Sequence, residues 1–305
     1  MGAIEQLFIH MTCAMLQLVT AVALSAQFTH LHLKQNDLYN HFKRHNNATE
    51  CPCFKMNNFG MGSDLHTFGQ ALWNMKANNQ SCFLVQNSWI WDRHQELFDW
   101  PWIPYCKAPY DFTSKTSIAH MSKQEARAQA LAFTLSFLRP SVYTAARDAS
   151  NALQFSAHHI TAPLVTVHIR WSDKHKEMKL FPIESYINAV TAFNLTTFAV
   201  FVATEDVHAV AEFKARAPKQ WSIYTYAKGT SIISSGKDGS PVKLAVKDPD
   251  AGYHAVISLL VGLQSSYFVV SSGSNWSRLI LELCLINYSK QCTVTDLSPK
   301  TKEYW

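Results

Sequence analysis

The sequence predicts an α/β fold whose C-terminal half is an open, doubly wound parallel sheet. Two observations carry this. From Pro163 onward, short apolar runs alternate with helical stretches, the β-α-β-α rhythm of parallel sheets. Each run is also short and mainly apolar, as strands buried on both faces are.

The runs are Leu164–Ile169, Phe198–Ala203, Ser222–Tyr226 and Tyr267–Val270. Between and after them, Ile183–Phe193, Val207–Ala217, Gly252–Leu263 and Trp276–Leu285 read as helices. Residues 51–155 read as mainly helical. Asp64 is placed to cap a helix running to about Ala77, and Cys82–Val85 reads as a buried strand. Ser122 and Glu125 form a capping box that opens a helix to Leu138, stopping before Pro140. No internal repeat interrupts this order.

Ahead of the globular part, Leu7 to Phe28 carries no charge, the length of a marginal membrane span. Ala21-Val22-Ala23 offers a signal-peptide cleavage site instead, and a buried helix is the third reading. Lys34, Lys43 and Arg44 follow the stretch, contrary to the positive-inside tendency of an anchor with a cytosolic N-terminus. Residues 29–50, rich in His and Asn, read as a stalk. The expected organisation is 1–28 anchor or signal peptide, 29–50 stalk, 51–160 N-terminal lobe and 161–305 nucleotide-binding lobe.

Of the 305 residues, 48% are hydrophobic and 16% charged, a globular composition. The net charge of +5 is dispersed. That argues against a nucleic-acid partner and suits a small phosphate-bearing ligand. Five Asn-x-Ser/Thr sequons start at Asn47, Asn79, Asn194, Asn275 and Asn287. Apart from Cys13, six cysteines remain: Cys51, Cys53, Cys82, Cys106, Cys284 and Cys292. An even count suggests disulfides and an oxidising compartment. The Cys51-Pro-Cys53 spacing is too short for a zinc-ribbon pair.

In doubly wound sheets, ligands gather at the carboxyl ends of the strands. After the first run stand His168, Arg170, Trp171, Asp173, Lys174 and Glu177, a set suited to a diphosphate and a proton acceptor, or else a surface ion-pair cluster. Glu205 and Asp206 follow the second run and either cap a helix or meet ligand hydroxyls. Ser271, Ser272, Gly273, Ser274 and Asn275 form a small polar turn opening a helix, the arrangement that binds phosphate through N–H groups. Gly60 and Gly62 offer a second such cradle. Asp248-Pro249-Asp250 has the form of a metal-binding Asp-x-Asp but reads better as a loop ahead of the Gly252 helix.

These motifs, in this order across roughly residues 51 to 290, resemble the α-1,6-fucosyltransferase (core fucosyltransferase) family. The resembling stretches are Phe59–His66, Leu84–Trp89, His168–Lys174 with Phe181–Tyr186, Ala203–Asp206 and Ser274–Arg278. The resemblance implies a two-lobed GT-B-like fold, GDP-fucose as donor, a glycan acceptor, inversion at the sugar carbon, and neither metal nor cofactor. It implies that His168 lies near the guanine and Arg170 holds the β-phosphate. Ser272, Ser274 and Asn275, with Gly60, Gly62 and Asp206, would line the donor site. Glu177 would be the base with Lys174 as its partner, Asp173 being the other candidate. It also implies the disulfides Cys51–Cys106, Cys53–Cys82 (or the same two with Cys51 and Cys53 exchanged) and Cys284–Cys292, and a Golgi membrane protein with a lumenal catalytic domain, or a secreted one after signal cleavage.

The sequence departs from the family in four places. Trp171 stands where a second Arg is usual, and one residue is missing between Lys174 and Pro182. No carboxylate stands near Ser258–Leu259, where the family contacts guanine. The family's coiled-coil and SH3-like regions have no counterpart here. A catalytically silent relative that binds a nucleotide sugar or glycan is the alternative reading.

Overall fold

The computed structural model describes residues 51–56, 60–80, 82–86, 88–100, 102–103, 123–153, 162–171, 178–230, 245–286 and 292–298. The N-terminal apolar segment, the stalk, Ser122, Cys106, Asp173, Lys174 and Glu177 lie outside these residues.

The rear half is the α/β sheet that the apolar runs predict. It contains β4 (Leu164–His168), α4 (Ile183–Thr191), β5 (Ala199–Ala203), α5 (Val207–Arg216) and β6 (Ser222–Tyr224). It continues with α6 (Ala227–Thr230), α7 (Ala251–Gly262), β7 (Tyr267–Val270), α8 (Asn275–Ile286) and β8 (Thr293–Asp296). The five strands are parallel, in the order β6-β5-β4-β7-β8. Chain direction across the sheet therefore reverses between β4 and β7, the Rossmann-like switch point.

Strand alternation sorts the two faces. Val165, Val167, Val200, Val202 and Val269 pack with Ile183, Tyr186 and Val190 of α4 and with Val210 and Phe213 of α5. Leu164, Phe201, Phe268 and Val270 point to the other face, against α7 and α8. That second core runs without a break into the front half, to Phe54, Phe68, Trp89 and Phe98. Phe201 and Phe268 are fully buried, so truncating either to Ala is expected to cost about 3–5 kcal/mol.

The front half holds β1 (Cys53–Phe54), α1 (Met61–Ala77), β2 (Leu84–Gln86), β3 (Trp102–Ile103), α2 (Lys123–Ser136) and α3 (Pro140–Ala152). Its three short strands form a parallel sheet, β1-β2-β3. Helix α1 starts ahead of Asp64, because the Gly60 carbonyl accepts the N–H groups of Ser63 and Asp64. Buried Asp64 instead accepts the Trp89 indole N–H at 2.9 Å. Pro140 ends one helix and opens the next: its missing N–H and fixed φ suit a first turn.

Cys51 bonds to Cys82, so the exchanged alternative replaces the Cys51–Cys106 and Cys53–Cys82 pairings. The cysteines are exchanged because β1 lies beside β2 with Cys53 level with Leu84. That register sets Cys51 beside Cys82, with Cα atoms 5.2 Å apart. Cys53 is disulfide-bonded as well. Cys284 and Cys292 are half-buried thiols, not the disulfide expected of them. No helix among the described residues is long and apolar enough to cross a membrane.

Candidate functional site at the switch point

The β4 and β7 strand ends bring Arg170 and the Ser271–Ser274 turn to neighbouring positions, since the two strands are paired in register up to Val167 and Val269. The register pairs Val165 with Tyr267, Thr166 with Phe268 and Val167 with Val269. The connection from α7 to β7 adds to this register, with Thr166 bonded to Ser265 and the Gly262 carbonyl.

At the β4 end, Arg170 is only 9% exposed. Its guanidinium forms an ion pair with Glu205, at the end of neighbouring β5. The pair is mostly buried, so each charge depends on the other. Glu205 thus neither caps the helix nor stands alone at the strand end: it pairs with Arg170. Adjacent parallel strand ends supply the signal that would have found it. Asp206 itself caps α5, accepting the N–H groups of His208 and Ala209. One carboxylate oxygen, Oδ1, is thus engaged in the helix cap.

His168 is buried. Its Nδ1 meets the Ser277 hydroxyl at 2.7 Å, and the same hydroxyl accepts the Ser271 N–H. Burial, reinforced by the Arg170 charge, pushes the imidazole pKa down to about 3. A neutral ring thus ties the β4 end to the start of α8. That position makes it a brace between the two strand ends, where the resemblance expects a base contact.

Trp171 donates its indole N–H to the Phe181 carbonyl at 3.0 Å and packs on the α4–α5 core. Trp171 is the last described residue before the segment with Asp173, Lys174 and Glu177. On the return side, a Cβ at Gly273 would lie 2.9 Å from Met178 Sδ. Both ends of the segment are therefore held at the switch point.

At the β7 end, the turn leads into α8. Ser274 is buried, and Asn275 Oδ1 is buried without a hydrogen-bond partner among the described residues. The N–H groups of Ser272 and Gly273 are occupied from within the chain, by the Asp296 carboxylate at 2.9 Å and the Ser298 hydroxyl at 3.1 Å. Backbone N–H groups open to an anion must then come from the first turn of α8.

The two glycines of the front cradle separate. A Cβ on Gly62 would stand 3.1 Å from the Trp276 nitrogen and 3.2 Å from the Asn275 carbonyl carbon, whereas one on Gly60 would meet nothing within 4 Å. Gly62 thus permits α1 to seat against the start of α8, and Gly60 borders open space. Buried His66 and Glu282 fix this seating, with Nε2 and Oε2 2.9 Å apart. The result is two helix N-termini side by side, near a buried Arg. Two positive dipole ends favour an anion between or beside them.

Elsewhere on the same rim, His254 of α7 meets the Tyr226 hydroxyl through Nδ1 at 3.0 Å. His254 lies one helical turn before Ser258. Asp248 accepts the Asp250 N–H at 3.0 Å, shaping the loop ahead of α7. No three His, Cys, Asp or Glu side chains among the described residues are grouped to share a metal ion.

No protein-family profile matches the sequence, and no curated protein sequence matches it. Among solved structures, the chain is similar to the fucosyltransferase NodZ from Bradyrhizobium, with 11% identity and a TM-score of 0.49. That match covers 76% of this chain and 93% of that one. It is similar also to NodZ α-1,6-fucosyltransferase co-crystallised with GDP, with 12% identity, a TM-score of 0.47, and 76% and 92% covered. POFUT1 in complex with GDP gives 12% identity and a TM-score of 0.31 over 56% of this chain and 49% of that one. The chain's own strand order, rather than these likenesses, defines its α/β fold.

Proposed function

We propose that this protein is a glycosyltransferase that moves fucose from GDP-fucose to a glycan, with inversion and without a metal ion, the α-1,6 position of core GlcNAc being the acceptor site. One observation carries the reading. Three of the resembling motifs, at the β4 end, the β5 end and the start of α8, come to neighbouring strand ends at one switch point, with buried Arg170 on the strand beside the one that leads into the small polar turn.

In this reading the acceptor hydroxyl attacks the fucose anomeric carbon as the bond to the β-phosphate oxygen breaks. The leaving pair stays on GDP, where Arg170 and the α8 N–H groups offset the charge. The acceptor proton passes to a carboxylate, Glu177 with Lys174 beside it, or Asp173. The pinned segment ends at Trp171 and Met178 support placing these residues over the crevice.

A second reading has a specific observation behind it. The Trp171 N–H is already bound to Phe181 and cannot stand in for a second diphosphate Arg. A relative that binds the nucleotide sugar without turnover fits that feature. Release of GDP from GDP-fucose, measured with and without a glycan panel, separates the two. Acceptor-dependent release supports the transferase. GDP binding without release supports the silent relative.

We further propose a secretory location, at the Golgi membrane or secreted. The Cys51–Cys82 disulfide and the exposed sequon residues Asn79 and Asn194 support it. Expression in secretory cells followed by glycosidase treatment should reveal glycans at both positions. An unmodified, fully reduced protein would count against it.

A further inference from the structure

The turn that sets the first turn of α8, proposed to receive the diphosphate, is held from outside itself. Asp296 Oδ1, at the end of β8, accepts the N–H of Ser272 at 2.9 Å and that of Ser298 at 3.0 Å. The Ser298 hydroxyl meets the Ser271 hydroxyl at 2.8 Å and accepts the Gly273 N–H at 3.1 Å. On the opposite side, Arg278 Nε donates to the Ser272 carbonyl at 2.9 Å. Both backbone groups of Ser272 are thus fixed, one by the strand end and one by α8.

These contacts have a consequence for ligand binding. A turn of small residues, Ser-Ser-Gly-Ser, has little side-chain packing to define its shape, and its glycine enlarges the set of backbone conformations. Ordering such a turn only when ligand arrives would cost affinity. Asp296 and Ser298 order it beforehand. Asp296 is exposed, so its removal opens no cavity in the core.

We infer that Asp296, assisted by Ser298, is a positioning residue that preorganises the Ser271–Ser274 turn for diphosphate binding. The inference rests on reading the switch-point crevice as a nucleotide-sugar site. An acceptor oxygen is what the Ser272 N–H requires, so an amide can replace the carboxylate there.

The test is titration of GDP into the full chain and into D296A, D296N and S298A, with thermal unfolding of each. D296A should bind GDP about tenfold more weakly, the loss expected for one hydrogen bond to a charged group. D296N should restore binding to within about twofold, because its amide oxygen still accepts, and S298A should show a smaller loss than D296A. The D296A loss should appear with little change in unfolding midpoint. GDP affinity unchanged in a folded D296A would overturn the inference while leaving the crevice reading in place. So would D296N binding as weakly as D296A, whether or not D296A folds. A wild-type chain that fails to bind GDP would overturn the crevice reading and this inference together.

Discussion

The front and rear halves share one core but are held together in different ways. The rear half is fixed by the register of five parallel strands, and the two fully buried ones, β4 and β5, are apolar apart from Thr166 and His168. The front half has strands of only two or three residues. It relies on a stacked aromatic group, with Phe98 and Trp100 centroids 4.3 Å apart and Phe68 and Trp100 4.8 Å apart, and on the Cys51–Cys82 disulfide. In the rear half most of the candidate site residues sit at or past the strand ends, outside the apolar packing between strands and helices. In the front half, polar groups such as Asp64 and Asp92 are themselves inside it. Chemistry and stability should therefore separate by region.

The largest expected effect is at Arg170. Lys at this position retains the charge that pairs with Glu205 but cannot hold two phosphate oxygens in one plane. R170K should lower GDP-fucose turnover at least about a hundredfold, with an unchanged circular dichroism spectrum. Near-normal turnover would mean that the rear strand ends do not hold the donor.

Next comes the front half. C82S removes a crosslink across 31 residues of chain and should destabilise the protein by about 3 kcal/mol. Denaturant melts read this, and GDP affinity below the transition should stay at the wild-type value. A parallel loss of affinity would mean that the two halves are not separable as described.

The pH dependence of stability comes from the rear half. His168 is neutral in the fold and titrates there at about 3, against about 6.5 when unfolded. The unfolded chain therefore binds the extra proton first, and stability falls as pH drops from 6.5 towards 3. The fall is at most about 1.4 kcal/mol per pH unit from this group. Folding midpoints for H168Q should show a shallower decline over that window. An equal slope would place the acid sensitivity elsewhere.

The smallest effect separates the two roles open to Asp206. D206A should cost about 1 kcal/mol of stability through loss of the α5 cap, with no change in GDP affinity. A large affinity loss would return Asp206 to the donor site.

The same contrast explains how much was legible in the sequence. Buried parallel strands announce themselves as continuous apolar runs, so β4, β5 and β7 were predicted to within a residue or so at each end. Their order placed Arg170 and the Ser271–Ser274 turn together. The front strands were not legible, because two-residue strands such as Cys53–Phe54 and Trp102–Ile103 have no period to read. The cysteine exchange has the same origin, since it is set by the register of β1 on β2. The partners of Glu205 and Asp296 were missed for a different reason. Their roles depend on which strand ends become neighbours, and neither has a local signature. Asp206 did have one, the cap position of a helix, and that signature pointed to a structural role.

The most direct measurement is a crystal structure of the protein grown with GDP. The account predicts a diphosphate at the switch point between β4 and β7, with phosphate oxygens within about 3 Å of the Arg170 guanidinium and of N–H groups in the first turn of α8. A nucleotide bound away from both strand ends, or Arg170 still paired only to Glu205 beside a bound diphosphate, would contradict it.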